Sequence, residues 1–278
     1  MRYILVENQS DFDLAIKEIR KSKIIGLDTE FLRTNTYFPL LSLVQISTEK
    51  KQFFLFDIHI KTIDWSELLA ILLDKAIIKI IHSAEQDLEA ISYRFNVKIT
   101  SIIDTQIMAD LLELGKQLGY GSLVEHYFKI TLDKDKQFSA WHKRPLTQLQ
   151  LDYASLDVVY LIDLYSIMLA ELAVKKIDIQ VLFDRSQAIS FKTKQANKST
   201  INRLTKTFCS KYNIILEDRD LAKELIELRE ILAIKHNKAR KYIIEDSDIS
   251  KIIDTKTFNH IKLNSYIDMF EQLLSKLN

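Results

Sequence analysis

The chain has 278 residues, of which 47% are hydrophobic and 28% charged, with 39 Lys/Arg against 38 Asp/Glu. This is an ordinary globular balance, and a prior of roughly 150 residues per domain predicts two domains. The single cysteine, Cys209, excludes an intramolecular disulfide and a cysteine-based zinc site. No apolar run approaches the roughly 18 residues of a membrane span, and Met1 to Asn8 carries no signal-peptide pattern, so the expectation is a cytoplasmic protein.

In chain order, Ser10-Asp11-Phe12-Asp13 opens a helix to about Lys21, and Ile24 to Phe31 reads as a strand. Leu41 to Ser47 and Gln52 to Asp57 read as two more strands, joined by a hairpin through Thr48 to Lys51. Trp65 to Leu73 is a helix and Ile77 to His82 a buried strand. Ser83 to Phe95 is a helix whose start has the pattern of a capping box, Ser83 with Gln86. Ile102 to Asp104 is a short strand with a helix after it, and helices dominate from Leu123 onward. Strands interspersed with helices predict an α/β core with a mixed sheet. The tail from about Ser186 is helical by pattern, with helices over Asp220 to Lys235, Asp246 to Ile253 and Leu263 to Leu277. Residues 186–278 hold 17 Lys/Arg and 12 Asp/Glu, and Ser186 to Leu216 holds Lys192, Lys194, Lys198, Arg203, Lys206 and Lys211 with no acid. Such an excess attracts a polyanion or simply makes a solvated face.

Asp28 and Glu30 lie two apart on a predicted strand and so share a face. Two carboxylates on one face repel each other, which a divalent cation between them relieves. Asp87 falls one turn into the helix after the apolar strand, near the carboxyl edge of the sheet where α/β folds bind ligands. Tyr153 and Asp157 are four apart on a helix, which holds a phenol beside a carboxylate. Each has a bland alternative: an exposed strand end, a helix-dipole acid, a surface acid near a packed tyrosine. Together, four carboxylates from three segments and a phenol that orients water suit phosphodiester hydrolysis with two cations roughly 4 Å apart.

Ile25-Gly-Leu-Asp-Thr-Glu-Phe-Leu-Arg-Thr-Asn-Thr-Tyr-Phe-Pro-Leu-Leu-Ser-Leu-Val-Gln45 resembles the first exonuclease motif of the ribonuclease D family. His82-Ser-Ala-Glu-Gln-Asp87-Leu resembles its second motif. Tyr153-Ala-Ser-Leu-Asp157-Val-Val-Tyr-Leu161 resembles its third, in the tyrosine-bearing class of DEDD exonucleases. Ile103 to Gln106, Leu132 to Lys134 and Trp141 to Leu146 are also similar to family sequence, and Leu225 to Ile244 resembles the centre of one HRDC domain. The resemblance implies a ribonuclease-H-like exonuclease domain over residues 1–190 and a small all-α HRDC-like domain over 195–278, too short for a second. It implies a 3′→5′ exoribonuclease that releases 5′-mononucleotides and trims precursor tRNAs, with RNA entering by its single-stranded 3′ end; a monomer is expected. Asp28, Glu30, Asp87 and Asp157 would bind two Mg²⁺ or Mn²⁺ ions, with Tyr153 placing the water. The rivals are a DNA 3′→5′ exonuclease with the same carboxylates and a non-catalytic RNA-binding module. Phe31 and His82 are candidate substrate contacts, each weighed against a core role. For Trp141 and Arg144 a structural role is expected. Arg240 and Lys241 are expected on a solvated face, with RNA phosphates as the alternative.

Overall fold

The computed structural model describes residues 3–132, 139–189, 196–257 and 266–277. It divides the chain into two units, one of residues 1–32 and 39–191, the other of 33–38 and 192–278. Asp133, Lys134, Lys192, Lys194 and the predicted helix start at Leu263 lie outside the described residues.

The first unit holds six strands: β1 (Ile4–Val6), β2 (Ile24–Leu32), β3 (Leu40–Thr48), β4 (Phe53–Asp57), β5 (Ile78–Ile81) and β6 (Ile102–Asp104). They form one sheet in the order β1-β4-β3-β2-β5-β6. β3 runs antiparallel to both neighbours, whereas β1 with β4, β2 with β5, and β5 with β6 are parallel. This is the expected mixed α/β sheet of ribonuclease-H-like type. The hairpin closes where the turn residues predict, with Lys51 at φ 59° and its N–H on the Thr48 carbonyl.

One face of the sheet is covered by α1 (Gln9–Ile19), α2 (Ser66–Leu73) and α3 (Glu85–Phe95), with Phe12, Leu27, Phe54, Phe56 and Leu68 in the shared core. Further helices follow β6: α4 (Thr105–Leu111), α5 (Tyr120–Phe128), α6 (Gln148–Val159), α7 (Leu161–Val174) and α8 (Ile179–Gln187). α6 opens with a capping box, Thr147 with Gln150, which satisfies N–H groups that a helix start otherwise leaves free. Its buried face, Leu151, Ala154, Ser155 and Val158, is small enough for the backbone to come close to the sheet. Gly26 receives it. A Cβ there would stand 2.3 Å from Ser47 Oγ and 3.2 Å from both the Val158 carbonyl and Leu161 Cβ. The glycine thus marks a close backbone approach within a strand, and Ser47 Oγ donates to the Val158 carbonyl at 2.8 Å.

The capping box expected at Ser83 and Gln86 does not form. Ser83 has φ 58°, Ala84 occupies the cap position, and no side chain caps α3. The Asp104 carboxylate takes over, accepting from the Ser83 and Ala84 N–H groups at 2.9 Å each. An acid arriving from the neighbouring strand satisfies these donors with a charged acceptor, a stronger bond than a hydroxyl would offer.

The second unit is built from α9 (Lys198–Tyr212), α10 (Arg219–His236), α11 (Asp246–Thr255) and α12 (Ile267–Leu277), with residues 33–38. Its core includes Phe208, Leu225, Ile226, Leu232, Ile249, Ile252 and Phe270. Asn35 and Phe38 tie the short segment in: the Ala239 N–H donates to the Asn35 carbonyl at 3.0 Å, and the Phe38 N–H to Asn237 Oδ1 at 2.7 Å. Lys198, Arg203, Lys206 and Lys211 are exposed on α9. Arg240 is not on a solvated face: its guanidinium bonds both oxygens of Glu230 and lies over the Tyr37 ring. Lys241 is exposed. Among the described residues no helix is long and apolar enough to cross a membrane.

Candidate active site

Asp28 and Glu30 project from β2 toward the face that α6 covers, as their spacing requires. The packing of Val158 and Leu161 on Gly26 brings the last turn of α6 over β2. Oxygens of Asp28, Glu30 and Asp157 consequently all lie within 4.8 Å of one another. Glu30 is 8% exposed and Asp28 and Asp157 are half-buried.

Asp87, third residue of α3, is buried and reaches the same electrostatic field from the other side of β2. It stands apart from the oxygens of that trio, and its Oδ1 accepts from Thr29 Oγ1 at 2.5 Å. Thr29 points to the opposite face from Asp28 and Glu30, so one stretch of three residues supplies two acids to one side and an anchor for a third acid to the other.

Burial pushes all four acids upward, and among the described residues the leading charges on Asp28 and Glu30 are other carboxylates. Asp28 is held well above the usual carboxylate range by burial, then by Asp87 and Asp157. Glu30 is held well above it by burial, then by Asp28, Asp157 and Asp87. Burial raises Asp87 to about 7 against the opposing Thr29 hydrogen bond, and raises Asp157 to about 7 against a hydrogen bond from Tyr153. The Tyr153 hydroxyl is raised by burial and by Asp157, Glu30 and Asp28, so it remains a proton donor. Its ring packs 6.1 Å from that of Trp141.

Phe31 packs its partly buried ring against the core on the α1–α3 side. His82 is built into a wall: Nδ1 is 2.9 Å from Thr105 Oγ1, and the ring lies 5.9 Å from that of Tyr120. Burial lowers its pKa to about 4, which keeps it neutral. Tyr120 in turn donates to the Leu156 carbonyl at 2.9 Å and accepts from the Tyr160 N–H at 3.1 Å, bracing the end of α6 beside Asp157. Trp141 is 2% exposed, and Arg144 grips both Asp57 oxygens and the Trp141 carbonyl.

Sequence reading missed Thr29, Asp104 and Tyr120. A threonine between two acids on a strand, and an aspartate ending a strand two residues before Gln106, whose N–H it also accepts at 2.8 Å, were the available signals. Tyr120 had none.

A family model described as 3′-5′ exonuclease matches residues 3–173. Ribonuclease D of Sphingobium indicum is 42% identical over 155 residues, covering 55% of this chain and 40% of that protein. The crystal structure of Escherichia coli RNase D, described as an exoribonuclease involved in structured RNA processing, superposes with a TM-score of 0.81 at 25% identity. That likeness covers 100% of this chain and 74% of the other. Trypanosoma brucei RNase D in complex with RNA U12 matches with a TM-score of 0.54 at 26% identity, over 59% of this chain and 61% of that one. The chain spans about half the length of the curated relatives it matches, between 40% and 58%. The chain belongs to the 3′-5′ exonuclease family. That family uses divalent metal ions, and the donors present fit one: oxygen-only ligands, closely spaced, whose leading electrostatic neighbours among the described residues are other acids.

Proposed function

We propose that this exonuclease-family chain is a 3′→5′ exoribonuclease that releases nucleoside 5′-monophosphates from single-stranded RNA 3′ ends. The observation that carries the reading is the convergence of Asp28, Glu30 and Asp157 within 4.8 Å, with Asp87 in the same field. These four acids would hold two divalent cations, Mg²⁺ or Mn²⁺. When bound, the cations supply activation of water and stabilisation of the leaving oxygen.

The protein's own groups do the rest. Asp28 and Glu30, fixed on a strand, and Asp157, fixed on α6, set the positions of the ligand oxygens before substrate arrives. Thr29 fixes the rotation of the Asp87 carboxylate. The protonated Tyr153 hydroxyl orients the attacking water on the Asp157 side. Water attacks phosphorus, the P–O3′ bond breaks, and the shortened chain keeps a 3′-hydroxyl. The exposed edge of Phe31 packs on the terminal nucleotide, and His82 acts on substrate through the wall it shares with Thr105 and Tyr120.

Residues 1–190 form the DEDD-type nuclease in this reading and 195–278 an HRDC-like module. The protein works as a cytoplasmic monomer, with precursor tRNAs among its structured substrates. Support for RNA comes from the ribonuclease D relatives, one of them solved with RNA.

The test is Mg²⁺-dependent release of mononucleotides from RNA and DNA of one sequence, with Asp28→Ala beside the wild type. The reading requires RNA to be degraded faster and the variant to be inactive. Faster DNA degradation makes it a DNA exonuclease. Tight RNA binding without turnover makes it a binding module. Turnover retained by Asp28→Ala removes the site assignment.

A further inference from the structure

Gln45, in the middle of β3, is fully buried at 0% exposure, and neither its carboxamide nitrogen nor its oxygen has a hydrogen-bond partner. Buried polar groups are nearly always paired, because an unpaired one costs stability. The packing around it does not call for an amide. Gln45 pairs in register with Leu55 on β4, and Leu43, two residues back on the same face, packs with Leu55, Trp141, Leu151 and Ala154. A methionine would fill the same volume among these neighbours with no unpaired atoms.

The other register partner of Gln45 is Asp28. Residues directly opposite on antiparallel strands share a face and hold their Cβ atoms about 4.5–5.5 Å apart. The Gln45 and Asp28 side chains therefore rise side by side from the same face of the sheet, with no hydrogen bond between them as they stand. On the same strand Ser47 also turns its polar group to this face, but it is already paired with the Val158 carbonyl. Gln45 is thus a polar group without work in the packing, placed beside an acid whose leading charged neighbours among the described residues are other acids.

We propose that Gln45 is a positioning residue of the cation site: its amide, unpaired in this structure, turns its N–H to the Asp28 carboxylate when a divalent cation is bound and fixes which oxygen Asp28 offers to it. An ionised carboxylate is an acceptor only, with room for more than one partner, and the amide is the donor that the cation cannot be. Groups of this kind, which hold a ligand and do not touch the metal, typically change cation affinity 10- to 100-fold when removed. The inference rests on the reading of Asp28 as a cation ligand.

The experiment uses the full chain, with Mn²⁺ alone as the probe, in wild type, Gln45→Met, Gln45→Leu and the same-face control Ser47→Ala. Mn²⁺ affinity is measured by calorimetry, the Tm is measured without metal, and kcat and KM are measured on single-stranded RNA. Gln45→Met is expected to keep or raise the metal-free Tm, weaken Mn²⁺ binding about tenfold or more, and leave KM for RNA unchanged. Gln45→Leu should weaken Mn²⁺ binding equally, and Ser47→Ala, which loosens the Val158 turn beside Asp157, should lower the Tm and weaken Mn²⁺ binding less than either Gln45 variant. Mn²⁺ affinity in both Gln45 variants within twofold of wild type overturns the proposal, as does a lowered Tm with unchanged affinity, which assigns a packing role. If wild type itself binds no Mn²⁺, the functional reading falls and takes this inference with it, so the two failures are distinguishable.

Discussion

In the helical unit Glu230 is 1% exposed and bonded by Arg240 at two oxygens, 2.5 and 2.8 Å, and by the Tyr37 hydroxyl. In the sheet unit Glu30 is 8% exposed and the charges that act on it are Asp28, Asp157 and Asp87. The same chemical group is buried in both, and its pKa moves in opposite directions. Burial alone would raise Glu230, but hydrogen bonds from Arg240 and Tyr37 outweigh it and hold the group low. Asp246, bonded to Arg229 at 2.6 Å, is held low in the same way. A buried acid matched by arginine stabilises its own fold. One that meets only other acids costs stability until a cation arrives, and that asymmetry separates a structural charge from a functional one.

The sharpest way to break the comparison is to remove one acid from each unit. Asp28→Asn should lower kcat on the order of 10³-fold, since cation-borne charge stabilisation is worth several kcal/mol, and should raise the Tm of the metal-free protein by relieving repulsion. Glu230→Gln should do the reverse. Leaving Arg240 without its counter-charge should cost about 3 kcal/mol of stability, read as a lowered denaturation midpoint, with kcat per folded molecule unchanged. A stabilised Glu230→Gln or a destabilised metal-free Asp28→Asn would erase the distinction.

The two kinds of acid were unequally legible in the sequence. Asp28 and Glu30 announced themselves because alternation on a strand is local, and Tyr153 with Asp157 because helical spacing is local. The hairpin, the main helices and five of the six strands followed from the same short-range periodicities, whereas β1, three residues long, carried no such pattern and was missed. What stayed hidden was long-range. No spacing connects Tyr37 to Glu230 or Gln45 to Asp28, and nothing near Ser83 says that Asp104 will displace it at the start of α3. Arg240 looked like a surface cation because its partner lies ten residues away across a turn. The failed capping box is the clearest instance: the local pattern was right for a cap, and a charged acceptor from another strand outcompeted it.

Acidification should separate the units without any mutation. Asp87 and Asp157 rise from about 3.8 to about 7 on folding, so between those values the folded state binds more protons than the unfolded one. Stability of the metal-free sheet unit therefore falls as pH rises from about 4 to 7. Glu230 and Asp246 are held low, so their contribution is present above the ordinary carboxylate range and is lost as pH falls below it. Hydrogen exchange on the full chain, read peptide by peptide, should show β2 and α6 better protected at pH 5 than at pH 7, and α10 protected equally at both. Mn²⁺ should abolish the drop in β2 and α6 at pH 7. Equal behaviour of both regions, with and without Mn²⁺, would count against unmatched charge as the cause.

Asp87 is the acid on which the comparison is most finely balanced, because it has both a neutral hydrogen-bond donor and a place in the acidic field. If Thr29 serves the cation site, Thr29→Val should weaken Mn²⁺ binding about tenfold, the lower end of the usual range for such supporting bonds. The fold should lose only about 1–2 kcal/mol for one hydrogen bond to a carboxylate. Thr29→Ser keeps the hydroxyl and should restore the affinity, and excess Mn²⁺ should recover most of the kcat lost in Thr29→Val. If Thr29→Val instead lowers stability and leaves Mn²⁺ affinity at the wild-type value, Asp87 behaves like Glu230, an acid kept for the fold by a local partner. The cation would then be held by the Asp28, Glu30 and Asp157 trio that the geometry already brings together.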